Sequence, residues 1–164
     1  MTPYQEFIYK RSYSRWIPEK GRRENWDETV NRYRDFFAPR VPAELQGWFD
    51  GAISAVRRMD VMPSMRCLWS AGAALENDHI AGYNCAYTAV DSVKTFSEIL
   101  YILMNGAGVG FSTERQYINL LPTVPSVLTP AKLQWKVEDS KLGWAEAYDH
   151  LMMGLTKATS SPST

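Results

Sequence analysis

Three observations predict an α/β fold preceded by a helical region. Two stretches in the first 60 residues repeat apolar side chains at three and four, the spacing of a helix face. The stretch 83–112, YNCAYTAVDSVKTFSEILYILMNGAGVGFS, places strand-like residues around Cys85, then an Asp-Ser helix start, a helix, and a return through GAGVGF into a second apolar strand. At 164 residues, 45% hydrophobic and 22% charged, the chain is long enough for one domain with a core of its own. The βαβ unit over 83–112 sets Cys85 at the end of its first strand. Strand ends face the ligand site in open or barrel-like α/β folds, which makes Cys85 the candidate for chemistry.

Composition excludes several classes of function. Eighteen basic and eighteen acidic residues leave the chain formally neutral, so bulk electrostatics give no reason to expect DNA, RNA or an anionic membrane as partner. No apolar run reaches the roughly 18 residues of a membrane span, and MTPYQEFIYKR lacks the apolar segment of a signal peptide. The expectation is a soluble, cytoplasmic protein. Cys67 and Cys85 are too few for a disulfide framework, and with only His79 and His150 beside them no metal site is expected. Six Trp and nine Tyr are expected to serve packing.

The first segment, Pro3 to Trp16, mixes Tyr4, Phe7, Ile8 and Tyr13 with Lys10, Arg11 and Arg15, a pattern open to a short helix or an extended arm. Pro18 and Gly21 break it. Asn25 with Glu28 three residues on is close to a capping box, and Trp26, Val30, Tyr33 and Phe37 share the face of the helix that follows, which should stop near Pro39. Pro42 opens the next helix at a first-turn position. Leu45, Trp48, Phe49, Ala52, Ile53 and Val56 form its face, and Arg57 and Arg58 suit its last turn.

After Asp60 the texture changes, so 1–60 reads as a helical region and 61–155 as a mixed one. Pro63 and Ser64 belong to a turn or irregular loop before an apolar stretch closed by Gly72. Ser64 beside Pro63 and Arg66 offers groups that suit a phosphate. Cys67 reads as a small core residue, and AALENDHIAG as a surface connection. Asp91 or Ser92 caps a helix with Phe96, Ile99, Leu100 and Leu103 on one face, stopped by Asn105 and Gly106. GAGVGF follows a helix and lacks GxGxxG spacing, so its glycines suggest close approach of a backbone or ligand within a strand. Residues 116–130 are proline-broken and loop-like. Ser140 caps a last helix bearing Trp144, Tyr148, Leu151 and Leu155, and 156–164 reads as a disordered tail.

YSRW, RRENWDETVNRYRDFF, MPSMRCLWSAG, YNCAY, DSVKTFSEILYILMNGAGVGFS and VEDSKLGWAEAYDHLM together resemble, in order and up to about Leu155, the N-terminal part of an adenosylcobalamin-dependent, class II ribonucleotide reductase. The resemblance implies a fold several times longer than this chain. It is a ten-stranded α/β barrel around a finger loop that carries a radical cysteine, of which residues 61–155 would be the start.

It also implies roles. Cys85 is similar to the first of two reducing cysteines that deliver electrons to the ribose and end as a disulfide. Ser64 and Asn84 match positions lining the substrate pocket or its phosphate end. Gly108 and Gly110 fall on the second barrel strand near the reacting nucleotide, and Asp91 and Ser92 resemble residues beside the site of a deoxynucleotide effector. In the family a cobalamin cofactor generates the thiyl radical that takes hydrogen from the ribose 3′ carbon, and two adjacent thiols then supply two electrons, to be restored by a thioredoxin-type reductant.

The radical cysteine, the partner of Cys85, the rest of the barrel and a cobalamin-binding surface have no counterpart in these residues, and Cys67 falls where no thiol is required. The resemblance therefore implies that adenosylcobalamin is bound by another part of the enzyme and that this chain alone is inactive. It would be a fragment, one piece of a split enzyme, or the product of an interrupted gene. Two alternatives remain: the large subunit of a class I reductase, which shares the cysteine strand and the Asp-Ser helix start, and a non-enzymatic nucleotide-binding or assembly module with a buried Cys85. Exposed strand edges would favour association with itself or a partner chain.

Overall fold

The computed structural model describes residues 1–128 and 134–157. The chain forms two compact units, one spanning Met1–Tyr83 and one beginning at Asn84. The change of texture at Asp60 falls inside the first unit.

In the first unit α1 (Pro3–Ser12) is a helix, which decides the choice between helix and arm. Its start explains why. The Thr2 hydroxyl accepts from the Gln5 amide at 3.3 Å, the Gln5 side chain accepts from the Thr2 amide at 2.7 Å, and Pro3 supplies a first-turn residue with no N–H to satisfy. Beyond it the expected break is a small hairpin: β1 (Trp16–Ile17) pairs antiparallel with β2 (Arg22–Arg23) across a turn closed by Gly21 at φ 58°, a conformation that suits glycine.

Asn25 and Glu28 form the expected capping box at the head of α2 (Trp26–Phe37), with the Glu28 amide 2.8 Å from Asn25 Oδ1 and the Asn25 amide 2.9 Å from Glu28 Oε2. The helix ends before Pro39, in a single 3-10 turn over Ala38–Arg40. Pro42 precedes another 3-10 turn, Ala43–Leu45, and does not itself open α3 (Gln46–Arg58), a correction of one turn. Arg57 and Arg58 end α3 as expected.

Val30, Ile53 and Val56 form the core between α2 and α3, walled by Trp26, Tyr33 and Phe49. Trp26 satisfies its indole N–H on the Arg57 carbonyl at 2.9 Å. A second cluster, Phe36, Ala71 and Leu75, joins α2 to two short helices that sequence reading missed, α4 (Met65–Ser70) and α5 (Ala73–Asn77). The apolar stretch before Gly72 is thus a helix of six residues. The supposed surface connection after it buries Leu75 at 4% exposure. Short helices of this kind owe their existence to packing, which no local pattern announces.

The second unit is built on the βαβ element that the alternation of texture predicts. β3 (Cys85–Ala89) and β4 (Gly108–Ser112) pair in parallel, with Cys85 opposite Gly108 and Tyr87 opposite Gly110. Between them runs α6 (Lys94–Met104), closed by Asn105 and by Gly106 at φ 83°. Its cap differs from expectation: Val93 holds the N-cap position, no side chain caps the helix, and the chain enters through a turn in which the Thr95 amide donates to the Ser92 carbonyl at 3.2 Å.

The segment after β4 includes one turn of helix, α7 (Arg115–Ile118), where a loop alone was expected. Ser140 opens α8 (Lys141–Lys157) as expected, accepting from the Gly143 amide at 3.0 Å. The apolar stripe assigned to α8 is not its buried face: Trp144 and Leu151 are exposed, while Ala145 is buried. α8 packs on α6 through Ala145 and two polar links, Ser97 Oγ to Asp149 Oδ1 at 3.0 Å and Lys141 Nζ to Asn105 Oδ1 at 2.5 Å. Residues 129–133, which begin in the proline-broken stretch, and 158–164, most of the expected tail, lie outside the described residues. Thr156 and Lys157, assigned to that tail, are in α8.

Candidate functional site

Strand alternation positions Cys85. Successive residues of β3 point to opposite faces, so Cys85 and Tyr87 share one face and both are exposed, Tyr87 at 70%. Parallel register places Gly108 and Gly110 beside them on β4. A side chain on Gly108 would begin 3.8 Å from the Cys85 sulfur, and one on Gly110 would begin 3.8 Å from the Tyr87 ring. Both glycines therefore keep the space next to a β3 side chain free. The Gly108 amide donates to the Asn84 carbonyl at 2.8 Å, which fixes the two strands together at the thiol.

This arrangement corrects one expectation. Cys85 opens β3 and so does not sit at the C-terminal strand end where α/β folds place ligands. Its exposure comes from the bare face of the β3–β4 pair. A thiol on a rigid strand, open to solvent and unobstructed by its neighbour, can approach a small molecule laid along that face.

The structure brings Asn84, Cys85 and Gly108 together at one end of the β3–β4 pair. Asp91 and Ser92 are exposed past the other end of β3, about 13 Å along the strand from the thiol. The Ser92 and Thr95 hydroxyls are 3.1 Å apart. Ser64 lies in the first unit, exposed at the head of α4, where its carbonyl accepts from the Leu68 amide at 2.9 Å and its side chain makes no cap. Cys67, also in the first unit, is half-buried with its thiol 3.6 Å from the Gly82 carbonyl. Tyr87 was missed by sequence reading, although counting two residues on from Cys85 along a strand would have found it.

A family model of the ribonucleotide reductase alpha domain matches residues 1–38. The adenosylcobalamin-dependent ribonucleoside-triphosphate reductase of Lactobacillus delbrueckii subsp. bulgaricus is 30% identical over 86% of this chain and 22% of its own length. The enzyme of the same name from Lactobacillus helveticus is 31% identical over 71% of this chain and 20% of its own length. The chain is related to the N-terminal part of the adenosylcobalamin-dependent, class II ribonucleotide reductases.

A crystal structure of a B-12 dependent (class II) ribonucleotide reductase superposes on 93% of the chain with a TM-score of 0.74, at 24% identity and over 30% of that protein, so the fold is shared as well. The chain spans about a fifth of the length of the curated reductases that it matches.

Among the described residues of this reductase relative, no three His, Cys, Asp or Glu side chains gather as a metal site would require. His79 is exposed, and His150 stacks on Trp135 at 4.1 Å. None of these residues is assigned to hold a cobalamin. Among the described residues no helix is long and apolar enough to cross a membrane.

Proposed function

We propose that this chain contributes Cys85 as one of two reducing thiols in the conversion of ribonucleotides to deoxyribonucleotides. One observation carries the reading: the Cys85 thiol stands on an exposed strand face beside Gly108, where nothing from β4 covers the sulfur.

The chemistry needs such a place. Replacing the 2′ hydroxyl by hydrogen breaks one C–O bond, forms one C–H bond and releases water. Two thiols supply the two electrons and two protons, and end as one disulfide. Both must face the same sugar from rigid backbone, because a group misplaced by about 1 Å loses much of its effectiveness. β3, tied to β4 along its whole length, gives that rigidity. The second thiol comes from the remainder of the enzyme, and a thioredoxin-type reductant reopens the disulfide. Adenosylcobalamin, when bound by that remainder, supplies the radical that makes the sugar reactive.

In this reading β3 and β4 are the first strands of a larger α/β barrel. Asn84 and Gly108, beside Cys85, line the ribonucleotide site. Asp91 and Ser92 stand beyond the far end of β3, too far from Cys85 to touch the same sugar, which supports their assignment to a deoxynucleotide effector.

The test is mass-resolved alkylation of Cys85 and Cys67 in the folded chain, with and without ribo- and deoxyribonucleotides. Cys85 is expected to label faster than Cys67 and to be slowed by a ribonucleotide. A Cys85 that stays silent until denaturant is added would instead make it a buried thiol in a non-enzymatic module.

A further inference from the structure

In the first unit the buried carboxylate of Glu24 is held by the Arg32 side chain, with Lys10 on the Glu24 main-chain carbonyl and the Arg15 main chain beside it. Arg32 takes both carboxylate oxygens, with Nε 2.7 Å from Oε1 and Nη2 2.9 Å from Oε2, and its Nη1 donates to the Leu68 and Ala71 carbonyls at 2.9 and 3.1 Å. Thr29 Oγ1 and the Arg15 main-chain N–H also donate to Oε2, at 2.8 and 3.2 Å. Lys10 Nζ donates to the Glu24 main-chain carbonyl at 3.1 Å. The carboxylate is thereby saturated by groups other than the Arg15 side chain.

The Arg15 guanidinium is what remains. It is half-buried and lies over the Trp69 ring, 5.6 Å from its centroid. Among the described residues no hydrogen-bond acceptor faces it. Its Nη1 is 3.5 Å from where a side chain on Gly72 would begin, and Gly72, at φ 114°, holds a conformation that disfavours any side chain. Space beside the guanidinium is therefore kept open. Trp69, 45% exposed, walls that space.

A guanidinium presents five donors in a planar fork, and a half-buried one without an acceptor is a poor end state for a folded chain. Burial, and after it the charge of Arg32, weaken the hold of Arg15 on its proton, and the Glu24 carboxylate only partly offsets them.

We propose that Arg15, Trp69 and Gly72 form a binding site for a phosphate-bearing anion. The guanidinium clamps two phosphate oxygens, and the indole packs against whatever the phosphate carries. Arg32 balances the Glu24 carboxylate and leaves the Arg15 guanidinium charge to attract an anion, a phosphate dianion more strongly than a carboxylate. The site is independent of the Cys85 reading and stands or falls without it.

The experiment is a titration of the full, nitrogen-15-labelled chain with inorganic pyrophosphate, read at the arginine Nε–H resonances. Acetate and sodium chloride at matched ionic strength are the controls. One resonance, absent from R15M, is expected to shift saturably with pyrophosphate and only weakly with acetate. R15K keeps the charge and loses the fork, and is expected to bind about tenfold more weakly. W69A is expected to weaken binding roughly threefold, the worth of an exposed cation–π contact. R15M should melt close to the parent chain, since it gives up only the contact with Trp69. Absence of a saturable shift, unchanged affinity in R15K, or acetate binding as tightly as pyrophosphate would overturn the proposal. So would a large fall in melting temperature in R15M, because it would show a guanidinium already satisfied within the fold.

Discussion

Glu24 is 5% exposed yet charged, and its surroundings decide that. Burial alone raises its proton affinity, but the hydrogen bonds from Arg32, Thr29 and the Arg15 amide outweigh burial and hold the carboxyl below the usual carboxylate range. A depressed carboxyl stabilises the fold fully above its unfolded value of about 4.3, and that contribution is lost as pH falls through the folded value. Urea midpoints taken from pH 7 downward should therefore fall below about pH 4 in the parent chain, and less steeply in E24Q. At pH 7 E24Q leaves Arg32 buried without its counter-charge and is expected to lose roughly 3 kcal/mol. T29V removes one of several donors and should lose about 1 kcal/mol. An E24Q variant as stable as the parent would mean that the pair is replaceable. Sequence reading did not single out Glu24, and there is a physical reason. Its partners come from positions 15, 29 and 32, and Arg32 reaches on to 68 and 71, spacings that no helix or strand period links. Asn25 and Glu28, by contrast, were legible because a capping box is closed within four residues.

At the scale of elements, what was legible follows the same division. Helices α2 and α3 and the βαβ order were readable because their periodicity and stop residues are local. The hairpin β1–β2 and helices α4 and α5 were not, since strands of two residues and helices of five or six carry too little pattern and form through contacts with α2. Cys85 was singled out for its place at a strand end, whereas the structure sets it at the start of β3 on a bare face of the strand pair. That difference is testable at Gly108. A methyl there would meet Asn84 O and the Cys85 sulfur at 3.8 Å, an ordinary contact, so G108A should fold with stability within about 1 kcal/mol of the parent. The same methyl crowds the thiol, and Cys85 alkylation should slow several-fold in G108A and further in G108V. Labelling unchanged in both would mean that the reagent arrives from another side. Gly143 gives the opposite case. A side chain there would begin 2.5 Å from the Glu138 carbonyl oxygen, so G143A must displace the entry to α8. It is expected to lose about 1–3 kcal/mol and to speed amide exchange in α6, which α8 covers.

Among the described residues many large apolar side chains are exposed. In the second unit a groove of about 420 Å³ is lined by Phe96, Ile99, Leu103, Phe111 and Tyr148, and the opposite face of β3 shows Tyr87. Two strands alone make a marginal sheet, and parallel sheets ordinarily have both faces covered. The curated relatives are about five times longer than the stretch they share with this chain, which is consistent with further segments covering these surfaces in them. Kept by itself, the chain is expected to associate as its concentration rises. Sedimentation velocity should show growing species, and a dye that binds exposed apolar surface should be displaced as they form. A concentration-independent monomer would mean that the groove and the strand face are stable in water. The same reasoning sets the expectation for activity. Reduction of one sugar needs two thiols on it at once, and Cys85 is the only cysteine of the second unit. Supplied with adenosylcobalamin, a ribonucleoside triphosphate and a small dithiol, the isolated chain is expected to form no deoxyribonucleotide above the blank. Product that disappears in C85S would show that a free dithiol can stand in for the missing partner; product that persists in C85S would remove Cys85 from the reaction altogether.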